Sequence, residues 1–311
     1  MARSLDASNL VFLSDAATRP DAQKRRQAFD LARRLPPLAL AARQAAASLH
    51  VGVHGRRRAG MGENFWQFRP FIAGEAAQNV DWRRSARDDR LYVREREWEA
   101  AQVLWVWADL SASMNFSSSL ALQSKLDRAL ILALALTDSA VRAGERAGWL
   151  GLTRLSGARN IVDSLAVALS AEARRTDGAF DDLPPAAPLR PREKAVLIGD
   201  FLVDPGAFAE TLRRLASQGA RGHVLMVFDP VEEVFPFSGQ TEFYDEAGSL
   251  LRAGRAEDYA VLYRTRLEAH RGALAATARD QGWTFALHAT DRPASEALLG
   301  LRLALTADGA R

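Results

Sequence analysis

The chain of 311 residues contains no cysteine. Disulfides, thiolate nucleophiles, zinc ribbons and iron–sulfur clusters are excluded together. Lysine is nearly missing too: Lys24, Lys125 and Lys194 are the only three among 41 basic residues. The formal net charge is +3, so there is no positive coat of the kind that grips nucleic-acid phosphates. Long apolar runs are absent. The longest, Ala129 to Leu136, falls far short of the ~20 residues a bilayer-spanning helix needs. Met1 to Ala28 lacks the charged-then-apolar order of a secretory signal. These absences predict a cytoplasmic protein with no membrane insertion and no nucleic-acid partner. No Gly-Lys-Ser/Thr, Gly-x-Ser-x-Gly or His-Glu-x-x-His occurs either, which removes a Walker A loop, a nucleophile elbow and a zincin helix.

What is present is a globular composition, 48% hydrophobic and 25% charged, with enough chain for a sizeable core. Two parts are expected, an accessory region over 1–100 and a main domain over 101–311. In the first, apolar positions recur at helical spacing from Asp21 to Leu49, and Pro36 and Pro37 are expected to split that run in two. A Gly/Arg-rich loop, His54 to Gly62, and an aromatic, charged segment, Phe65 to Glu99, follow. In the second part, apolar strand-like runs (Val103–Ala108, Ala147–Leu152, Ala195–Gly199, His223–Phe228, Trp283–His288) alternate with helical stretches. That alternation predicts an α/β fold, a mainly parallel sheet with helices on both faces. Ser117 to Ser119 are expected to cap a long apolar helix, about Leu120 to Ala143.

In such a sheet, ligands sit outside the carboxyl ends of the strands. Asp109 and Asp200 fall at two of those ends, with Asp229 at a third. Ser111 and Ser113 follow Asp109 at alternate positions, so one carboxylate and two hydroxyls can turn toward a common point. Magnesium takes about six hard oxygens and keeps some of its waters. A cation held mainly by hydroxyls is under-neutralised and available to one more acid. Local sequence alone equally fits a capping loop, because serine and aspartate before a helix satisfy free N–H groups.

Asp109-x-Ser111-x-Ser113 after an apolar strand resembles the metal-ion-dependent adhesion site of von Willebrand factor A domains. Three blocks ahead of it, Gly62-Glu63-Asn64-Phe65-Trp66-Gln67-Phe68-Arg69-Pro70-Phe71, Val80-Asp81-Trp82-Arg83-Arg84-Ser85-Ala86-Arg87 and Val93-Arg94-Glu95, resemble the signature of the bacterial family called domain of unknown function fifty-eight. The resemblance runs from about residue 50 to 300. It implies a von Willebrand A-like, Rossmann-type fold and association with a MoxR-type AAA+ ATPase in chaperone-like assembly. It also implies Mg²⁺ or Mn²⁺ bound by Asp109, Ser111 and Ser113, with Asp200 steadying the ion through water. The adhesion pattern adds a threonine from a second loop. Thr176 is the only threonine between Gly157 and Pro184, and its surroundings do not match that loop.

The function expected is therefore a protein-interaction adaptor and not an enzyme. The alternatives are a magnesium-dependent hydrolase or phosphatase on the same strand ends, and a metal-free scaffold. Phe65, Trp66, Phe68, Phe71 and Trp82, interleaved with arginines, are expected to form a small apolar core whose rim arginines pair with Glu63, Glu75, Asp81, Asp88 and Asp89. The five histidines are expected to be structural or superficial.

Overall fold

A computed structural model of the chain describes residues 20–48, 59–60, 64–72, 75–76, 78, 80–87, 90–97, 102–176, 179–186, 188–244 and 250–307. In order the elements are α1 (Pro20–Ser48), β1 (Ala59–Gly60), β2 (Asn64–Pro70), α2 (Trp82–Ser85), β3 (Tyr92–Glu97), β4 (Val103–Ala108), α3 (Lys125–Arg142), β5 (Arg146–Trp149) and α4 (Ile161–Arg175). After them come β6 (Lys194–Gly199), α5 (Pro205–Ala216), β7 (Arg221–Phe228), α6 (Pro230–Val234), β8 (Thr241–Tyr244), β9 (Leu250–Ala253), α7 (Ala260–Asp280), β10 (Thr284–Ala289) and α8 (Ala294–Ala307).

The chain divides into two compact units, Val51–Gln102 and the remainder. A single cut near residue 100 does not describe this division, because α1 belongs with the larger unit. There it packs on α3 and α4, burying Leu31, Leu35, Leu38, Ala39, Ala42 and Ala46. The same burial explains a second departure. Pro36 and Pro37 lie inside one continuous helix, although an interior proline removes a hydrogen bond and crowds the preceding turn. The apolar stripe on both sides of the prolines holds the two halves in line.

The larger unit is built on a five-stranded sheet in the order β10-β7-β6-β4-β5, with every pairing parallel. This is the doubly wound α/β class the strand–helix alternation predicts. An isolated antiparallel bridge, Ala147 to Ser156, adds a short return segment beside β5. Strand side chains alternate between two cores. Leu104, Val106, Val196, Ile198, Leu225 and Val227 meet α1, α3, α4 and α8. Trp107, Ala195, Leu197, Val224 and Met226 meet α5 and α7. Burial on both faces is why these strands read as unbroken apolar runs. Helix α3 is enclosed between the sheet and the outer helices, with every residue from Ala129 to Leu136 buried. A helix covered on all sides has no need of a polar face.

The smaller unit holds a three-stranded antiparallel sheet, β1-β3-β2. Asp81 caps α2 by accepting from the Arg84 N–H at 2.9 Å. Ser85 Oγ donates to the Asp81 carbonyl at 2.8 Å and accepts from the Tyr92 N–H at 2.9 Å, locking that turn onto β3. Arg69 pairs with Glu75 through both nitrogens, at 2.9 and 2.5 Å. The expected aromatic core is corrected here: Trp82 is 62% exposed and Phe68 is also exposed. A four-residue helix anchored by polar contacts leaves its first side chain outside. The side chains of Phe65 and Trp66, and the residues Glu63, Asp88 and Asp89, lie outside those described, as does most of the Gly/Arg loop.

Candidate cation site at the carboxyl edge

Strand β4 connects to β5 on one side, while β6, β7 and β10 lie on the other. The direction of winding therefore reverses between β4 and β6, the place where open α/β sheets leave a crevice for ligands. Ala108 pairs with Ile198 across this boundary. The two strands then end on Asp109 and Asp200, with the Asp109 N–H still donating to the Ile198 carbonyl at 2.8 Å. The two carboxylates predicted from the sequence are thus neighbours at the switch point. Gly199 makes the approach possible, since a Cβ there would stand 2.7 Å from Asp109 Cβ.

Asp109 is fully buried. Its Oδ1 accepts from the Ser111 N–H at 2.8 Å, whereas its buried Oδ2 has no hydrogen-bond partner. Burial, reinforced by the charge of Asp200, outweighs the Ser111 contacts and pushes the carboxyl up to about 7. An orphaned carboxylate oxygen in the interior is costly, and either a proton or a cation satisfies it. Ser111 Oγ and Ser113 Oγ lie 3.1 Å apart, with Ser111 buried and Ser113 half-buried. The two alternating hydroxyls thus lie within hydrogen-bond distance of each other.

Asp200 is also buried, but it is not free. Its Oδ2 accepts from Lys125 Nζ at 2.8 Å, and its Oδ1 receives the Leu202 N–H at 3.3 Å. Lys125 stands at the first position of α3, 1% exposed, and its Nζ also donates to Glu232 Oε1 at 2.7 Å. Burial works to strip its proton, but Asp200 and Glu232 outweigh burial and hold the ammonium above its ordinary range. Sequence reading missed Lys125 and Glu232. The available signal was the lysine itself, one of three in the chain and set at the start of an apolar helix. Phe201, directly after Asp200, has φ 47°, a region that bulky residues rarely adopt. Its ring is fixed against Trp107 and Phe208, and its carbonyl accepts from His270 Nε2 at 2.8 Å.

Asp229, the third strand-end carboxylate, is structural. It caps α6 by accepting from the Val231 N–H and clasps Ser118 through that residue's N–H and Oγ, at 2.7 and 2.5 Å. Ser118 is therefore not a cap of α3, which starts later than predicted, at the Ser124 cap. Thr176 is corrected as well: its N–H and Oγ1 both go to the Glu172 carbonyl in the last turn of α4, because a helix end needs its free groups satisfied. Among the described residues, no cluster of three His, Asp or Glu side chains is arranged for a metal. Asp109, Ser111 and Ser113 fit a hard cation through the orphaned oxygen and the paired hydroxyls, while Asp200 is neutralised by an ammonium.

The family model described as Protein of unknown function DUF58 matches residues 67–273. The chain belongs to the DUF58 family. It shares 27% identity over 281 residues with the uncharacterized proteins Rv1480 of Mycobacterium tuberculosis and Mb1516 of Mycobacterium bovis, covering 84% of this chain and 86% of each relative. Among solved structures, this DUF58 chain is similar to an aerotolerance-related membrane protein from Bacteroides fragilis, at 11% identity and TM-score 0.38. It is also similar to the conserved hypothetical protein BatB from Bacteroides thetaiotaomicron, at 14% and 0.37. Each of these likenesses covers 66% of this chain and 99% of the other. Scores this low leave the fold to be read from the chain's own topology.

Proposed function

We propose that this DUF58 protein is a von Willebrand A-like adaptor that docks a partner protein on the carboxyl edge of its sheet. In this reading, Asp109, Ser111 and Ser113 offer Mg²⁺ or Mn²⁺ to an acidic side chain of the partner. The observation that carries the reading is the buried Asp109 Oδ2 with no hydrogen-bond partner, on the carboxylate whose Oδ1 holds the loop that carries the paired Ser111 and Ser113 hydroxyls. A divalent ion held there would supply Lewis acidity toward an external carboxylate. Asp109 provides the anionic ligand, and the serine hydroxyls orient without adding charge, so attraction for the partner's acid is preserved.

The loops at this edge carry exposed apolar side chains. Phe116, Leu120 and Leu122 lie between β4 and α3, Leu202 follows β6, and Val234 ends α6, each 45–72% exposed. Exposed apolar residues beside a buried polar centre suit a protein interface better than a small polar substrate. The partner proposed is a MoxR-type AAA+ ATPase, with the adaptor acting in chaperone-like assembly in the cytoplasm. In a pull-down, wild type is expected to capture the ATPase in Mg²⁺ and lose it with chelator, while Asp109→Ala folds but captures at least about tenfold less. Equal capture by both proteins, with and without chelator, would falsify the metal-bridged version and favour a metal-free scaffold.

The hydrolase alternative gains a lysine from the structure, yet that lysine is buried and committed to two carboxylates. Asp109 is likewise enclosed and poorly placed as a nucleophile. No turnover of generic phosphoesters in Mg²⁺ or Mn²⁺ is expected, and turnover abolished by Asp109→Ala would favour the enzyme.

A further inference from the structure

We infer that Lys125 is the resident cation of this edge: its ammonium occupies the carboxylates a divalent ion would otherwise recruit and so limits how tightly the Asp109 site binds metal. The inference rests on the adaptor reading and specifies how its metal site is tuned. Lys125 Nζ lies 2.8 Å from Asp200 Oδ2 and 2.7 Å from Glu232 Oε1, and Asp200 is the strand-end neighbour of Asp109. The placement is expensive twice over. A cation at a helix N-terminus opposes the helix dipole, and a buried ammonium surrenders its hydration. Two carboxylates, one directly after β6 and one on α6, are committed to offsetting this, with Glu232 Oε2 additionally held by the Asp229 N–H at 2.8 Å.

Residue choice points the same way. The chain uses arginine for nearly all of its positive charge, yet a lysine stands here. An ammonium is a compact point charge, which suits a spot between two carboxylate oxygens, whereas a planar guanidinium demands a broader cradle. The ammonium holds Asp200, the strand-end neighbour of Asp109, and so removes that carboxylate as the ion's water-bridged support. A weakly held metal that binds well only when a partner's acid completes the shell follows directly. The competing explanation is a strut that ties α3 to β6 and α6 and has no effect on metal.

Mn²⁺ titration followed by electron paramagnetic resonance separates these on the full-length chain, using wild type, Lys125→Met, Asp109→Asn and the double variant. Lys125→Met is expected to bind Mn²⁺ at least about tenfold more tightly than wild type. It should also unfold at a lower temperature that Mn²⁺ raises again, and Asp109→Asn should abolish both effects. Unchanged Mn²⁺ affinity in Lys125→Met, with wild-type binding still removed by Asp109→Asn, overturns the inference and leaves the adaptor's metal site standing. No Asp109-dependent binding in any variant overturns both. Should Lys125→Met not fold, Lys125→Met/Glu232→Gln, which removes Glu232's charge along with the ammonium and leaves Asp200 without its counter-ion, is expected to show the same tightening, and its failure to do so counts equally against the inference.

Discussion

A glycine at the end of β6 and another at the start of β7 show how closely single positions set this edge. At Gly199 an added Cβ would meet Asp109, and at Gly222 it would stand 2.4 Å from the Trp283 ring and 2.6 Å from the Ala195 carbonyl. Both Gly199→Ala and Gly222→Ala are expected to lose about 1–3 kcal/mol of stability from overpacking, measured by urea unfolding. Only Gly199→Ala should also weaken Mn²⁺ binding, because it displaces the Asp109 carboxyl; equal binding by the two variants would contradict the placement of that oxygen. His288 illustrates a different residue-scale cost. It is buried beside Arg128, and burial together with that guanidinium lowers its pKa to about 4. Unfolding restores the ordinary value near 6.5, so the unfolded chain binds more protons between about pH 4 and 6.5. Stability from this group is therefore complete above pH 6.5 and is lost as pH falls toward 4, with a slope of up to about 1.4 kcal/mol per pH unit. The wild-type minus His288→Gln difference in denaturant midpoint should shrink on acidification. A constant difference would mean that His288 titrates normally.

Among the elements, α1 is the test of how packing overrides local preference. Its prolines predict a break, and nothing in a 29-residue window reveals that α3 and α4 will cover the stripe from Leu31 to Ala46. Replacing Pro36 and Pro37 by alanine is expected to stabilise the protein by about 1–3 kcal/mol, since the helix already runs through them. Leu35→Ala should cost about 2–5 kcal/mol by opening a cavity. Thermal unfolding reads both, and a neutral Leu35→Ala would show that α1 is not part of the fold's core. The central strands were legible because residues buried on both faces leave a continuous apolar signature. Helix ends were less so: Ser117 to Ser119 look like caps, and only the distant Asp229 explains why Ser118 is occupied elsewhere.

At the scale of the whole molecule, strand order is what turns separated residues into a site. The sequence placed Asp109 and Asp200 at strand ends, but their adjacency depends on β6 pairing with β4, a long-range fact that no local pattern carries. The same holds for Lys125, which meets Asp200 and Glu232 across 75 and 107 positions. The strand-end positions of the two aspartates were therefore readable in advance, whereas the ammonium on Asp200 was not. Anomalous diffraction from crystals of the protein grown with Mn²⁺ tests the cation site most directly. One manganese peak is expected at direct-ligand distance from Asp109 Oδ2 and the hydroxyls of Ser111 and Ser113, with Lys125 still on Asp200. Anomalous density absent from that edge at saturating Mn²⁺, or a peak ligated by other residues alone, would contradict that expectation.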